Sequence, residues 1–300
     1  MREWDNMKKN KLLKALSLVG MSVLSLSMFA GCGAQNETKE TTSNQAVVEE
    51  NKENDNKAEE VASPDASETV SAHANDSDNV IIMGTNAEFE PFEYRENGMD
   101  IVGFDVEIAE KVAEKLGKEL VIEDMAFDSL IMALNSDKID FIAAGMTATD
   151  ERRTQVDFSE SYFHSKQMII VKADNTSIAT ADDLVGKNVG VQLGTTGDLF
   201  VSSTEGIASV SQFQTGTQAV MDLKNGKVDA VVIDAEPAKK MTEGQSDLKL
   251  LDAPFVEEEY AIAVKKGNAE VLQAINETLA EITTNGTYDE IYAKYFGTAK

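Results

Sequence analysis

The feature that most constrains the fold is a regular alternation of short apolar runs and amphipathic stretches that begins at Asn79. Apolar runs bounded by turn residues predict buried strands, and apolar residues spaced three or four apart predict helices. The predicted strands are 80–83, 120–122, 141–144, 168–171, 188–191, 230–233 and 260–264. The predicted helices are 104–116, 128–135, one after Thr196, 220–224, one after Ala235, 269–283 and 288–295. This alternation indicates an α/β architecture with mostly parallel sheets, in two similar lobes.

Residues 1–31 have the layout of a secretory signal peptide. Four lysines within residues 8–14 precede an apolar run over 15–30, which is shorter than the roughly 20 residues of a bilayer-spanning helix. The string Phe29-Ala30-Gly31-Cys32 resembles the bacterial lipobox, although lipoproteins usually carry Leu in place of Phe29. The resemblance implies cleavage before Cys32 and a lipid anchor on its sulfur, with acyl chains such as palmitate. The alternative is a buried free thiol behind an uncleaved anchor helix.

Residues 32–78 are rich in Glu, Asn, Ser, Thr and Ala and contain almost no aromatic or large aliphatic side chains. Such a composition buries too little apolar surface to offset the entropy of ordering, so we predict a disordered acidic tether. Its charges keep it expanded, and it would give an anchored domain reach above the membrane.

Composition excludes several classes of function. The chain has 27 Lys and Arg against 53 Asp and Glu, and the net charge of −26 repels nucleic acid. His73 and His164 are the only histidines, too few for a histidine metal site or a serine-type triad. One cysteine permits no intramolecular disulfide. We predict neither a metal nor a cofactor.

Three stretches, in order, resemble a single family. They are 103–116 (GFDVEIAEKVAEKL), 127–163 (FDSLIMALNSDKIDFIAAGMTATDERRTQVDFSESYF) and the ending 285–297 (NGTYDEIYAKYFG). Together they are similar to the family 3 extracellular solute-binding proteins, the amino-acid receptors of ABC importers. The resemblance spans about residues 79–297.

The resemblance implies a two-lobed periplasmic-binding-protein-like fold of type II, with two crossover hinge strands and the ligand held between the lobes. Lobe 1 would comprise 79–161 and 263–300, and lobe 2 would comprise 167–257. The hinges would be 162–166 and 258–262. His164 falls in the first hinge, where we expect it to be packed.

The resemblance assigns the ligand carboxylate to Arg152, Thr147 and Thr196. A guanidinium fork offers a carboxylate two parallel charge-assisted hydrogen bonds. Thr196 lies in a Gly-rich turn before a helix, where backbone N–H groups attract anions. The alternative for Arg152 is a surface arginine in an acidic loop. The alternative for the turn that carries Thr196 is a plain connection between a strand and a helix.

The ligand ammonium is assigned to Asp234 and to the carbonyl of Gly145. Asp234 ends an apolar strand, where burying a carboxylate without a partner is costly. Its alternative role is the N-cap of the following helix.

The ligand side chain is assigned to Asn86, Phe89, Phe127 and Gln192. The two rings match positions whose aromatic groups sandwich the ligand in relatives, and their alternative role is ordinary core. Asn86 matches a position that is often Asp in receptors for basic or amide side chains. Because Asn86 is neutral, a site for Lys or Arg lacks one expected counter-charge, and an uncharged polar ligand is favoured over a cationic one. Glu88 is favoured as a solvent-exposed rim residue, and its alternative role is to supply the replacement charge.

These observations predict a lipid-anchored, extracytoplasmic, monomeric receptor that binds a polar L-amino acid and delivers it to a membrane ABC permease, without acting as an enzyme. The first alternative is an enzyme on the same scaffold, dehydratase-like and acting on a small carboxylate metabolite, which requires an unpaired Glu, Asp or His in the cleft. The second alternative is a sensor ectodomain. The sequence leaves the identity of the amino acid open.

Overall fold

A computed structural model of the chain describes residues 79–297. The strands are β1 Val80–Thr85, β2 Glu88–Phe89, β3 Glu93–Glu96, β4 Asp100–Val102, β5 Glu119–Asp124, β6 Phe141–Ile142, β7 Val156–Phe158, β8 Phe163–Lys172, β9 Asn188–Gln192, β10 Ser209–Phe213, β11 Ala230–Asp234, β12 Leu248–Leu250, β13 Val256–Tyr260 and β14 Ala263–Lys265. The helices are α1 Phe104–Leu116, α2 Leu130–Asn135, α3 Asp150–Arg153, α4 Thr196–Ser203, α5 Gly216–Lys224, α6 Ala235–Thr242, α7 Ala269–Asn285 and α8 Thr287–Phe296, with 3₁₀ helices at Phe127–Ser129 and Ala181–Leu184. The predictions for residues 1–78, including Cys32, lie outside the described residues.

The first lobe is built on a five-stranded sheet in the order β5–β1–β6–β14–β7. β1 is parallel to β5 and β6, whereas β14 comes from the end of the chain and runs antiparallel to β6 and β7. Neighbouring parallel strands end at the same edge of a sheet. The segments that follow β1 and β6 therefore lie side by side, and they carry Asn86, Gly145 and Thr147.

The second lobe is built on a sheet in the order β10–β9–β11–β8–β12, with β13 also paired to β8. β9 is parallel to β10 and β11, and its last residue is Gln192. The last residue of β11 is Asp234. The same edge rule brings Gln192 and Asp234 together on this lobe. The two-lobed α/β fold predicted from the sequence is confirmed, while the residue boundaries of lobes and hinges stay predictions.

β8 and β13 join the two lobes as an antiparallel pair, with Phe163 opposite Tyr260 and Ser165 opposite Glu258. The single strand predicted over 260–264 is wrong, because the chain leaves the second sheet after Tyr260 and enters the first at Ala263. The predicted packing of His164 is also wrong. Its side chain is 81% exposed, because Phe163 and Ser165 face inward and side chains alternate along a strand.

A small sheet of β2, β3 and β4, which the apolar pattern did not predict, covers residues 88–102. The Phe92 ring anchors it, with its centroid 4.8 Å from that of Phe163 and 5.2 Å from that of Tyr260. This packing holds the hairpin against the crossing strands and positions Phe89 and Glu93. Within residues 79–297, no helix has both the length and the apolar character required to cross a membrane.

Candidate ligand-binding site

A narrow cavity lies between the two lobes. All nine residues that the sequence analysis assigned to a ligand line it, and it gathers them from strand ends and loops far apart in the chain. They are Asn86, Phe89, Phe127, Gly145, Thr147, Arg152, Gln192, Thr196 and Asp234. Glu93, Ala144 and Thr195 also line the cavity and were not predicted. The individual roles assigned to the nine residues stay predictions.

Arg152 is buried at the junction of the lobes, so its alternative as a surface arginine is wrong. Its Nη1 donates to the Thr147 carbonyl at 2.8 Å, and its Nη2 donates to the Gly194 carbonyl at 2.9 Å. The guanidinium carbon lies 5.2 Å from the centroid of the Phe127 ring. Burial lowers the pKa of Arg152, while the carboxylates of Glu258 and Asp234 oppose that shift. A guanidinium has five N–H donors, so two carbonyl bonds leave donors for an anion.

Asp234 is buried at the start of α6, yet its side chain makes no capping hydrogen bond. The carboxylate accepts hydrogen bonds from the Tyr260 hydroxyl and, at 3.3 Å, from Ser165 Oγ. Asp234 occupies the N-cap position of α6, as the alternative predicted, but its side chain bonds to the crossing strands and does not cap the helix. Burial, and then the charge of Glu258, raise the pKa of Asp234. A cation in the cavity would relieve this cost.

Glu258 is a buried residue of β13 that the sequence analysis missed. Its Oε2 accepts hydrogen bonds from Thr147 Oγ1 at 2.9 Å and from Gln167 Nε2 at 3.2 Å. Gln167 Nε2 also approaches Thr196 Oγ1 at 3.3 Å. This network links Thr147 to Thr196 across the lobes. Strand alternation was the available signal, because Glu258 shares the inward face with Tyr260 while Glu257 and Glu259 are exposed.

The end of the cavity lined by Asn86 and Gln192 contains a direct hydrogen bond between the lobes. Gln192 Nε2 donates to Asn86 Oδ1 at 2.8 Å, and both residues are buried. Asn86 Nδ2 donates to the Met125 carbonyl at 3.0 Å. These bonds fix which end of each amide faces its partner. Glu88 is exposed, in agreement with its role as a rim residue.

Position 145 requires a glycine, both because of its backbone conformation and because of the small space around it. Its φ is +53°, and a Cβ there would lie 2.7 Å from Cε1 of Phe89. The left-handed conformation and the contact both disfavour a side chain. The Gly145 N–H donates to Asp105 Oδ2 at 2.8 Å. The Phe89 ring therefore lies directly on the backbone of the cavity floor.

Glu93 is the least expected residue of the site. It is 1% exposed, and neither carboxylate oxygen has a hydrogen-bond partner among residues 79–297. Burial, and then the nearby Asp105, raise the pKa of Glu93 well above its usual range. A lone Glu between Phe92 and Tyr94 gives no sequence signal of this burial. An unpartnered carboxyl in a cavity wall suits a ligand that supplies the missing donors.

The two lobes, the crossing strands and the enclosed charged cavity are those of a two-lobed binding protein. Residues 81–298 match the family model for bacterial extracellular solute-binding proteins, family 3. The chain belongs to this family.

Similar proteins include the arginine-binding extracellular protein ArtP of Bacillus subtilis, 38% identical over 72% of this chain and 86% of that protein. A solved structure of an ancestral arginine-binding protein bound to glutamine is 43% identical, with a TM-score of 0.71 over 73% of this chain and 99% of that one. The arginine-bound form of truncated ArgBP from T. maritima is 43% identical, with a TM-score of 0.67 over 69% of this chain and 97% of that one.

Proposed function

We propose that this protein captures a free L-α-amino acid outside the cytoplasm and delivers it to an ABC importer permease. The observation that carries the proposal is the placement of Arg152 and Asp234 on one cavity, with each charge coming from a different lobe. An amino-acid zwitterion presents a carboxylate and an ammonium, which complement these two groups. The ligand would then bridge the lobes and stabilise their closed arrangement.

We further propose that the side chain bound is cationic and that arginine is the preferred ligand. Glu93 supplies the counter-charge that Asn86 does not, and it is buried without a protein donor. A guanidinium offers several N–H donors in one plane, which would satisfy both carboxylate oxygens. The aromatic rings of Phe89 and Phe127 would pack on the flat group and its apolar stem. Glutamine is the second candidate, because a similar protein was solved with it.

Glu93 also meets the requirement of the enzyme alternative, an unpaired acid in the cleft. A counter-charge role explains its position without any chemistry on the ligand. Incubation with arginine or glutamine followed by mass spectrometry separates the two functions. Recovery of the unchanged amino acid supports the receptor. Conversion of the added amino acid by wild type, lost in Glu93→Gln, would support the enzyme.

The proposal includes the predicted lipid anchor on Cys32, the tether over 32–78, a monomeric state and the permease as membrane partner. Support comes from the sequence layout of residues 1–32 and from the family. Cys32→Ser should release the protein from the membrane fraction or leave it unprocessed. Full membrane retention with normal processing would contradict the anchor but leave the binding function standing.

A further inference from the structure

We propose that Glu93 and Asp105 form a proton-sharing carboxyl pair, so that binding of a cationic side chain releases one proton while binding of a neutral one releases none. The inference rests on the proposed amino-acid receptor function and adds a proton to its binding reaction. Asp105 is a positioning residue in this scheme, because it acts on the ligand through Glu93.

The pair is enclosed by the first lobe. Asp105 lies in the first turn of α1 and is buried, as is Glu93. Its Oδ2 accepts the Tyr162 hydroxyl at 2.6 Å and the Gly145 N–H at 2.8 Å, whereas its Oδ1 has no donor among residues 79–297. The Asp105 N–H donates to the Phe92 carbonyl at 2.9 Å, which places Asp105 against the residue that precedes Glu93, and each of the two carboxyls shifts the pKa of the other. Two carboxylates have no donor between them, so only a proton gives the pair a hydrogen bond.

The groups that face the pair do not neutralise it. The acids near Glu93 are Asp105, Asp124 and Asp234, and the phenols near Asp105 are those of Tyr162 and Tyr288. Asp124 is itself paired with Arg95 at 2.7 Å. Among the lining residues the cation is Arg152, whose Nη atoms both donate to carbonyls. In the described part of the chain, neither carboxyl of the pair forms a salt bridge.

The direction of the coupling follows from this arrangement. Burial raises the pKa of Asp105 to about 6 and raises the pKa of Glu93 well above its usual range. Because both carboxyls are buried and three of their four oxygens have no donor among residues 79–297, the empty cavity favours keeping one proton on the pair. A guanidinium stabilises both ionised carboxylates and expels that proton, whereas an amide leaves it in place. Between about pH 6 and the pKa of Glu93 in the empty protein, arginine should bind about tenfold more tightly per pH unit, while glutamine binding stays flat.

The test is titration calorimetry of the intact tethered domain in buffers of different ionisation enthalpy, which counts the protons released on binding. Wild type should release close to one proton with arginine and none with glutamine. Glu93→Gln should abolish the release and the preference for arginine over glutamine. Glu88→Gln, which removes an exposed carboxylate from the same hairpin, should match wild type. Asp105→Asn places an amide donor beside Glu93, so arginine should still bind but with much less proton release, a change that a merely structural role would not produce.

Arginine binding without proton release, with a dissociation constant independent of pH, would overturn the coupling and leave the receptor function intact. Absence of arginine binding would overturn the proposed ligand and the coupling together. Absence of binding by every amino acid would overturn the receptor function as well.

Discussion

Gln192 Nε2 donates a hydrogen bond to Asn86 Oδ1 at 2.8 Å, and this bond joins the last residue of β9 to the segment after β1 across the cleft. The bond from Arg152 to the Gly194 carbonyl crosses the same gap. Protein groups from both lobes therefore touch directly around the cavity. The described arrangement is closed, with these two hydrogen bonds joining the lobes directly.

We expect the Asn86–Gln192 hydrogen bond to stabilise the closed arrangement of the lobes and thereby strengthen ligand binding. Gln192→Ala and Asn86→Ala should each weaken arginine binding, because loss of one partner leaves the other buried and unsatisfied at a cost of about 1–3 kcal/mol. The double variant should lose less than the sum of the two, with a coupling of about 0.5–3 kcal/mol. Gln273→Ala, an exposed glutamine on α7, should bind like wild type. Strictly additive losses in calorimetry would show that the two amides act independently.

Arg152→Ala should abolish tight amino-acid binding. Truncating one member of a buried charged hydrogen-bonded pair costs about 2–5 kcal/mol, so affinity should fall at least about thirtyfold. Arg153→Ala is the matched control, since Arg153 is the exposed neighbour on α3 and packs over Phe158 instead. A loss of less than about fivefold for Arg152→Ala, or equal losses for both variants, would remove Arg152 from the carboxylate site.

Asp234→Asn should weaken ligand binding without lowering the stability of the fold. The variant keeps an oxygen for the Tyr260 hydroxyl but loses the charge expected to hold the ammonium, so affinity should fall by about 2 kcal/mol or more. The pKa of Asp234 is raised in the folded state, so its ionisation destabilises the fold above the pKa of the unfolded chain. Thermal unfolding near neutral pH should therefore show an equal or higher melting temperature for the variant. A lower melting temperature with unchanged affinity would contradict the assigned role.

Gly145→Ala should damage both the fold and the site. A methyl group would approach the Phe89 ring to 2.7 Å and would sit on a backbone with φ of +53°, so we expect a loss of about 1–3 kcal/mol in unfolding free energy. Gly244→Ala is the control, because Gly244 has φ of +70° with no atom within 4 Å of the added methyl. Denaturant titration should show the larger loss for Gly145→Ala. Equal losses would mean that backbone strain alone lowers the unfolding free energy and that the Phe89 ring moves aside at little cost.

The elements that depend on local sequence patterns could be predicted from the sequence. The helix over 104–116 coincides with α1, because the apolar spacing is regular and left-handed Gly117 ends the helix. The nine predicted ligand residues converge because they lie at strand ends or in the loops and short helices that follow them, which the topology brings together. Glu93 and Glu258 could not be found this way, since their burial depends on how a hairpin and a crossing strand pack on distant elements. The prediction that His164 is packed was wrong because side chains alternate along β8, and His164 lies on the exposed face between Phe163 and Ser165.

The central claim is that the cavity binds a cationic amino acid, and calorimetric titration with L-arginine tests it most directly. The only tryptophan, Trp4, lies within the predicted signal peptide, so heat is a better readout than indole fluorescence. We predict one binding site per chain and an affinity for arginine greater than that for any uncharged or acidic amino acid. A ligand at 100 times its dissociation constant should also stabilise the fold by about 2.7 kcal/mol. No heat of binding with arginine, or tighter binding of any uncharged or acidic amino acid such as glutamine or glutamate, would contradict the account.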